Sequence, residues 1–387
     1  MKKTIAISLL LALSICCLSL FASCGSDKYA DIEKIDNPYK GSTLYVYNWG
    51  EYIADGEDGS MDLVKVFEHI YDINVVYTTY SSNEEMYAKL SSGTVSYDVI
   101  IPSDYMISRL ISEGYLQKLN FENIPNYKNI ADAYKSNQYF DMGGENGAAE
   151  YSIPYTVGLI GIIYNTEYID EEDVAEQSWD LLWNEKYSGK LLNFDNSRDA
   201  FGVAMFREGL DVNTDDPEVW NRAYEALRAQ KPLLKGWVMD AVFDEMEGEN
   251  AYAATYYAGD CLTMMSNNEN LDFYYPKEGN NLFVDSMCIP KTAKNVGAAE
   301  LFINFMLEEE YAIENSLYIC YASPNKAVFE SDEYKEELGE KEYSILYDVP
   351  EQYKAPDGSF DTSVAQYYYD LSAETKALLA QLWDKVK

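Results

Sequence analysis

Two periods of hydrophobic and polar positions alternate along the first part of the chain. Thr43–Tyr47 is a short run of strand-forming residues, whereas Met61–Tyr71 repeats its apolar side chains every three or four residues, as an amphipathic helix does. Both patterns recur in turn, with strands predicted at Ile73–Tyr77 and Tyr97–Ile101 and helices at Asn83–Leu90 and from Ser103-Asp104 to about Glu113. This β-α-β-α order predicts a parallel sheet with helices on its faces.

The alternation continues beyond the length of one domain, so the sequence predicts an α/β protein with two lobes. Ser103 and Asp104 are expected to cap the helix that follows them by accepting hydrogen bonds from its first amides. Residues 137–150, which include three glycines, are expected to form a loop. Further strands are predicted at Val157–Tyr164, Lys190–Phe194, Tyr252–Tyr257 and Phe283–Pro290. Further helices are predicted at Trp179–Trp183, from Asp195 to Arg207, from Ala258 onward, and at Asp215–Ala229, Asp240–Glu247, Gly297–Leu307 and Ala373–Val386.

Aromatic and acidic side chains meet just after the first predicted strand. Trp49 and Tyr52 can hold an organic cation against their faces, and Glu51 can add a charge-assisted hydrogen bond. Ser103 and Tyr105 follow the carboxyl end of another predicted strand. Because open α/β sheets bind ligands at the carboxyl ends of their strands, we expect these residues to converge on one site.

The first 23 residues are typical of a bacterial lipoprotein signal segment. Two lysines precede a largely apolar stretch from Ile5 to Phe21, and small residues then precede Cys24. The stretch has about the length of a signal-peptide core and is short for a membrane span. We expect Cys24 to be the lipidated first residue of the mature chain and residues 24–41 to be a polar tether. An ordinary cleaved signal or a single anchor helix is the alternative.

The charge of the chain restricts its partners. Asp and Glu total 66 against 29 Lys and Arg, which gives a formal net charge of −37. Such a surface repels nucleic acid and anionic membranes and concentrates cations around the protein. An acidic surface can also serve solubility alone, and that explanation stays open at this point.

Histidine and cysteine are too scarce for most catalytic or metal sites. His69 is the only histidine and lies within the predicted helix Met61–Tyr71, so a Ser-His-Asp or Cys-His device would depend on this one residue. Zinc sites of the His-rich kind are excluded. Cys261, Cys288 and Cys320 stay in the mature chain without a Cys-x-x-Cys pair, as three buried thiols or as one disulfide and one thiol. We expect neither an enzyme nor a bound cofactor or metal.

Several short motifs follow one another in an order that resembles a known family. They are the lipobox, Tyr47–Tyr52, Tyr80–Asn83 with Met86–Leu90, Tyr97–Val99 with Pro102-Ser103, Tyr151–Tyr155, Tyr187–Lys190, Asp285-Ser286 with Pro290, and Tyr321–Asn325. From about residue 42 to its end the chain resembles the spermidine/putrescine-binding proteins of ABC transporters. The resemblance implies an α/β, two-lobed type II periplasmic-binding-protein fold, with a hinge of crossover strands and a ligand cleft between the lobes. It implies lobe 1 at 42–154 plus 286–324 and lobe 2 at 155–285 plus 325–387.

The resemblance also implies ligand contacts, position by position. Trp49 and Tyr52 would stack on a polyamine chain, with Glu51 near one of its amines. Asn196 stands where spermidine binders of the family usually have a second carboxylate, which implies a weaker hold on one amine. The other implied contacts are Ser103, Tyr105, Ser197, Arg198, Asp199, Tyr257 (or Tyr256), Phe283, Asp285, Tyr321 and Tyr368.

Polyamine chemistry suits such a set of residues. Each buried ammonium needs acceptors, and each methylene run is favoured against apolar or aromatic surface. Carboxylates spaced along an aromatic slot would therefore measure the distance between amines. Structural roles are open for the same residues: Tyr105 and Tyr257 as core aromatics, Asp199 as a helix cap, and Asp285 as an acceptor for turn amides.

We therefore expect an extracytoplasmic, lipid-anchored and monomeric receptor that passes a polyamine to the permease of an ABC transporter. One alternative is the same fold holding another small organic cation or ferric iron. Another is a secreted hydrolase that uses Asp195, Asp199 or Asp285 as acid and base. Stabilisation by spermidine but not by sugars would favour the receptor, and cleavage of a glycan would favour the hydrolase.

Overall fold

A computed structural model describes residues 28–57, 59–135, 141 and 149–387. The expected signal segment, the lipidation site Cys24 and the glycines of the expected loop at 137–150 lie outside these residues. Within them, strands β1 to β10 are Thr43–Trp49, Asn74–Tyr80, Val99–Ile100, Ser152–Asn165, Leu191–Phe194, Leu234–Val238, Ala253–Tyr257, Leu271–Tyr274, Asn280–Cys288 and Ala365–Gln366. Helices α1 to α15 are Leu63–Tyr71, Asn83–Ser91, Asp104–Ser112, Asp132–Lys135, Glu171–Val174, Ser197–Arg207, Pro217–Gln230, Val242–Glu247, Ala258–Asn267, Val296–Met306, Glu309–Ile319, Lys326–Phe329, Asp332–Leu338, Glu340–Tyr347 and Ala373–Val386.

The strands of the described residues join into one sheet. Its path is β2-β1-β3-β9-β4-β7-β5-β6, with β10 beside β9 and β8 beside β4. β1 is parallel to β2 and β3, and β5 is parallel to β6 and β7. In the middle, β9 is antiparallel to β3 and β4, and β4 is antiparallel to β7. The predicted parallel β-α-β units therefore form the two sides of the sheet, and antiparallel strands connect them.

Strand β4 serves both sides of this sheet. Its residues Ser152–Leu159 pair with β9, whereas Ile160–Asn165 pair with β7 and β8. The register shifts between Pro154 and Thr156. Twelve of its fourteen residues are buried, a pattern expected of a central strand that is covered on both faces. The sequence predicted a separate segment at Tyr151–Tyr155 before this strand, and the structure joins the two into one continuous strand.

Each side of the sheet has its own hydrophobic core. The core around β1 is built from strand and helix residues that include Leu44, Val46, Phe67, Phe302 and Phe305. The core around β5 and β7 includes Phe194, Phe201, Trp220, Tyr256 and Leu382. A smaller cluster contains Val157, Leu159, Leu282 and Val284 of the two central strands. This arrangement is the two-lobed α/β fold that the sequence predicts.

The segment before β1 is docked onto the first core. Tyr29 is only 9% exposed, and its hydroxyl accepts a hydrogen bond of 2.9 Å from the backbone N–H of Asp62. Farther along, the N–H of Ile35 donates to Ile70 O at 2.8 Å. The described part of the segment expected to be a polar tether, residues 28–41, is therefore attached to α1 by a buried ring and by backbone hydrogen bonds. Within the described residues, no helix combines the length and apolar character that a membrane span requires.

The docking of Tyr29 predicts a measurable loss of stability when its ring is removed. Tyr29→Ala should lower the free energy of unfolding by roughly 2 kcal/mol, since buried aromatic contacts and one hydrogen bond are lost. Tyr29→Phe should cost about 1 kcal/mol, because the amide of Asp62 then loses its acceptor. Urea unfolding followed by circular dichroism measures both changes. Ile35→Ala is the control, because Ile35 is 50% exposed; equal midpoints for all three variants and the wild type would contradict the docking.

Candidate functional site

A narrow cleft lies between the two sides of the sheet, at the carboxyl ends of β1 and β7 and beside β9. Its cavity volume is about 60 Å³. Residues from both cores form its walls: Trp49, Gly50, Tyr52, Tyr80, Ser82, Asn83, Glu84, Ser103, Asp104, Tyr105, Asn196, Asp199, Met239, Asp240, Tyr256, Tyr257, Asp260, Asn281, Phe283, Asp285, Tyr321 and Tyr368. The lining therefore combines aromatic rings with carboxylates.

Trp49 and Tyr80 form one aromatic wall. Their ring centroids are 4.7 Å apart, and both rings are oriented by the same carbonyl. The indole N–H of Trp49 donates to Ile101 O at 2.9 Å, and the hydroxyl of Tyr80 donates to the same oxygen at 2.6 Å. Because both polar atoms are used within the protein, the exposed part of this wall is ring surface, which suits methylene groups and cations.

Asp285 lies at the centre of the cleft on β9 and is 5% exposed. Its Oδ2 accepts a hydrogen bond of 2.8 Å from the hydroxyl of Tyr52, which also contacts the hydroxyl of Thr156. Its Oδ1 is buried and makes no hydrogen bond with the described residues. Burial raises the pKa of Asp285 to about 6. An unpaired buried carboxylate oxygen is costly, so this atom marks the place where a ligand donor is missing.

Asp199 is held in the cleft by the start of α6. Asn196 is the N-cap of this helix, and its side-chain oxygen accepts from the N–H of Asp199 at 2.8 Å. The amide nitrogen of Asn196 and the hydroxyl of Tyr257 both donate to Oδ2 of Asp199, each at 2.7 Å. The residue that caps α6 is therefore Asn196 and not Asp199, for which the sequence left a capping role open. Burial raises the pKa of Asp199 despite these donors.

Asp260 forms a third tyrosine–carboxylate pair at the start of α9. The hydroxyl of Tyr321 donates to its Oδ2 at 2.8 Å, and burial raises the pKa of Asp260 to about 8. Gly259 makes this pair possible, because a Cβ at that position would overlap the ring of Tyr321. Gly158 and Gly202 make similar room for Phe283 and Tyr368. Glycines at these close approaches are thus required by the aromatic lining rather than by the backbone conformation.

Two further acids lie at the rim. Glu84 accepts a hydrogen bond of 3.0 Å from the hydroxyl of Tyr105, and Asp240 accepts a longer one of 3.4 Å from Tyr256. Together with Asp285, Asp199 and Asp260, they give five carboxylates in the cleft that are each joined to one tyrosine hydroxyl. A hydroxyl occupies one lone pair of a carboxylate, so the remaining acceptor positions are left for a ligand.

The lining of the cleft is acidic and has no basic side chain among the described residues. Asp104, Asp199, Asp260 and Asp285 are each at most 9% exposed, and no Lys, Arg or His is among the described residues that line the cleft. Burial raises the pKa of all four carboxyls. Since buried charges are ordinarily paired, the lining is incomplete without a cationic partner.

Eleven of the residues proposed from the sequence lie in this lining. They are Trp49, Tyr52, Ser103, Tyr105, Asn196, Asp199, Tyr257, Phe283, Asp285, Tyr321 and Tyr368. Three others lie elsewhere: Glu51 is exposed in a neighbouring acidic groove, and Ser197 and Arg198 line a separate pocket behind Tyr105. Tyr256, the alternative to Tyr257, also lines the cleft, but its hydroxyl is directed to Asp240.

Arg198 supports the site from behind. Its guanidinium lies 3.9 Å from the ring centroid of Tyr368 and donates to Val212 O and to the side chain of Asn213. Asn213 in turn donates to Tyr367 O and accepts from the N–H of Tyr369. Arg198 therefore orients Tyr368 instead of facing the cleft.

Ser103 shows a second difference from the sequence-based expectation. It is the N-cap of α3, as predicted, but its side chain makes no capping hydrogen bond. Its hydroxyl instead accepts from the side-chain amide of Asn83 at 3.1 Å, while Asp104 accepts from the N–H groups of Tyr105 and Val284. The capping prediction is wrong for Ser103, because its hydroxyl is engaged by the side-chain amide of Asn83.

Several lining residues were not identified from the sequence: Tyr80, Glu84, Asp104, Asn281, Asp240 and Asp260. Glu84 and Asp260 lie in the first turns of helices that follow strands, and Ser103 has the same kind of position at the start of α3. Asp195, one of the acids of the hydrolase alternative, lies outside the lining and pairs with Lys387 at 2.6 Å. Among the described residues, no group of three or more His, Cys, Asp and Glu side chains is placed to hold a metal ion.

The chain is similar to known bacterial solute-binding proteins. Residues 62–339 match the family model described as bacterial extracellular solute-binding protein. The chain is 34% identical to the spermidine/putrescine-binding periplasmic protein of Escherichia coli K12, over 74% of this chain and 78% of that protein.

Two solved structures share the fold over 89% of this chain. The spermidine/putrescine ABC transporter substrate-binding protein PotD of Streptococcus pneumoniae matches with 32% identity, a TM-score of 0.68 and 98% of its own chain covered. The TpPotD lipoprotein of Treponema pallidum matches with 25% identity, a TM-score of 0.71 and 99% of its own chain covered.

The raised carboxyl pKa values predict how the stability of the empty protein depends on pH. A carboxyl that keeps its proton to a higher pH when folded stabilises the fold below its unfolded pKa, and that contribution is lost as the pH rises through its folded pKa. For Asp285 and Asp260 the loss runs from about pH 4 to about pH 6 and about pH 8, respectively. The unfolding free energy from urea titrations should therefore fall between pH 5 and pH 8.

Substitution separates this effect from the general charge of the protein. Asp260→Asn should make the fall between pH 6 and pH 8 shallower, whereas Asp384→Asn, at an exposed position of α15, should leave it as in the wild type. The same slope in wild type and Asp260→Asn would show that the Asp260 carboxyl does not titrate in this range.

Proposed function

The chain belongs to the bacterial extracellular solute-binding proteins, and from this premise we propose that it captures a polyamine in its acidic aromatic cleft and passes it to an ABC transporter. The observation that supports this most strongly is the set of four buried carboxylates without a cation in the described lining. A linear polyamine supplies several positive charges and the methylene groups that aromatic walls favour. The relatives named for spermidine and putrescine support the same class of ligand.

The proposed ligand contacts follow from the hydrogen bonds. One ammonium lies at Oδ1 of Asp285, which makes no hydrogen bond of ordinary geometry with the described residues, although the neighbouring Ser103 hydroxyl helps to lower the pKa of this carboxyl. Asp199 and Asp260 accept further ammonium hydrogens with the lone pairs that Tyr257 and Tyr321 leave free. The faces of Trp49 and its neighbour Tyr80 cover the methylene groups between them.

Binding is coupled to closure of the two lobes in this proposal. Lobe 1 comprises 42–154 plus 286–324, and lobe 2 comprises 155–285 plus 325–387. Tyr321 and Asp260 belong to different lobes in this division and are joined across the cleft. Tyr105 and Tyr368 also face each other across it, with ring centroids 6.3 Å apart. A polyamine between the carboxylates would favour these contacts, and the closed form would be recognised by the permease.

The family of the chain is one of extracellular solute-binding proteins, which supports a location outside the cytoplasm and a binding role. We further propose that Cys24 is lipidated and holds the protein at the outer face of the cell membrane. The signal pattern before Cys24 supports this, as does the similarity to a Treponema pallidum lipoprotein.

Lipidation is tested by metabolic labelling with radioactive palmitate in a bacterial host that processes lipoproteins. The wild type should become labelled and sediment with membranes, whereas Cys24→Ser should be unlabelled. Cys320→Ser is the control, because Cys320 lies in the folded part and should not affect labelling. Equal labelling of wild type and Cys24→Ser would contradict lipidation at this cysteine.

Isothermal titration with putrescine, spermidine and spermine tests the main proposal. At least one of them should bind the wild type, while a sugar should not. Asp285→Asn and Trp49→Ala should each weaken binding at least tenfold, about 1.4 kcal/mol, because an ammonium loses its charge partner or its aromatic wall.

Asp384→Asn is the matched control for Asp285→Asn, since it removes the same charge from an exposed helix position. Its titration should equal that of the wild type. Absence of polyamine binding in the wild type would refute the proposed ligand, and unchanged binding in both cleft variants would refute the proposed location.

A further inference from the structure

A second polar atom in the cleft lacks a partner. The side-chain oxygen Oδ1 of Asn281 is buried and makes no hydrogen bond with the described residues; the residue is 4% exposed and lines the cleft. A buried amide oxygen without a donor is unfavourable unless something else supplies one. Asn281 is not one of the ligand contacts that the family resemblance implies, so its role is inferred from its surroundings in the structure.

The preceding residue, Asn280, shows that an asparagine side chain on β9 can form its hydrogen bonds within the protein. The side chain of Asn280 accepts from the N–H of Ile160 at 3.1 Å, and its amide nitrogen donates to Ile160 O and to the hydroxyl of Tyr353. Asn280 therefore connects β9 to β4 and to the C-terminal segment. Asn281, one residue later and on the opposite face of β9, accepts no such hydrogen bond from the described residues.

Alternate residues of β9 face the cleft. Asn281, Phe283 and Asp285 all line it, as the two-residue period of a strand requires, and successive members of this series are about 6.7 Å apart along the strand. The order is an amide oxygen, an aromatic ring and a carboxylate. The two unpaired oxygens, Oδ1 of Asn281 and Oδ1 of Asp285, lie on either side of Phe283 in this series.

Another unpaired polar group comes from the segment beside Asn281. β10 pairs with β9 so that Gln366 is opposite Asn281, and Tyr368 follows two residues later. The hydroxyl of Tyr368 is likewise buried without a hydrogen bond to the described residues, and Tyr368 lines the same cleft.

We propose that Asn281 accepts a hydrogen bond from one terminal ammonium of the bound polyamine, while another ammonium of the same molecule lies at Asp285. This inference rests on the proposed function and extends it by one specificity-determining residue. Phe283 then lies against the methylene groups between the two amines. Asn281 selects ligands by length, since a molecule with one ammonium at Asp285 satisfies Asn281 only if it has a second donor at the right distance.

The test compares spermidine with N-propylputrescine, which is the same chain without one terminal amine; putrescine itself is too short, because Asn281 and Asp285 are four residues apart on β9. Asn281→Leu keeps approximately the size of the side chain and removes the acceptor, so it should weaken spermidine binding at least tenfold and change N-propylputrescine binding less than twofold. Asn281→Asp is nearly isosteric and places a carboxylate at the same position, so it should strengthen spermidine binding at least threefold. Isothermal titration of the wild type and both variants with each ligand, with competition for the weaker one, measures the six affinities.

Ser286→Ala is the matched control. The hydroxyl of Ser286 is also buried and unpaired on β9, but it is absent from the cleft lining, so this variant should bind both ligands as the wild type does. Spermidine binding within twofold of wild type in both Asn281 variants would overturn the inference, as would equal losses for spermidine and N-propylputrescine. If Asn281→Leu fails to fold, the Asn281→Asp result decides. Wild-type protein that binds no polyamine would refute the proposed function instead.

Discussion

The structure depends on carboxylates that are buried before any cation is present. Tyrosine hydroxyls stabilise them: Tyr52 donates to Asp285, Tyr257 to Asp199 and Tyr321 to Asp260. A hydroxyl satisfies part of the carboxyl without adding a positive charge, so the acid stays available to a cation that enters the cleft. A lysine or arginine in the same place would satisfy the acid permanently and would repel a cationic ligand. The abundance of tyrosine, with 36 residues in the chain, fits this use.

The fold places these pairs where the two lobes meet. β4 and β9 run through the middle of the sheet, between the two lobes. Asp285 lies on β9. The remaining acids come from helix starts that follow strands, such as α6 and α9. Small residues at close contacts then allow the rings to approach, as Gly259 does for Tyr321. Charge, aromatic surface and the junction of the lobes are therefore brought to one place by the same few elements.

Much of this could be predicted from the chain because local patterns agree with the tertiary environment. The helix Ala373–Val386 was predicted with its observed bounds, and the parallel order of the first strands follows from β-α-β alternation. The strand Leu234–Val238 was not predicted, because it lies at the edge of the sheet and its residues do not alternate between apolar and polar. The helices between residues 309 and 347 were not predicted either, because their many charged side chains resemble those of solvated loops.

Other features depend on contacts between residues far apart in the sequence. Ser103 has the chemistry of a cap, and only the position of Asn83 in space explains why its hydroxyl is used elsewhere. Asp260 resembles an ordinary helix-start acid until Tyr321, 61 residues away, is seen beside it. Tyr29 reads as part of a polar segment, because the amide of Asp62 that fixes it cannot be identified from sequence. In each case the partner is selected by packing rather than by neighbouring residues.

The shared central strands have a consequence for how the molecule denatures. Ser152–Leu159 and Ile160–Asn165 are consecutive parts of one strand, yet they complete different sides of the sheet. Loss of either core would expose the edge of β4 and leave its N–H and C=O groups without partners, which penalises any half-unfolded species. Although the protein has two cores, its melting should be a single cooperative event rather than two successive ones.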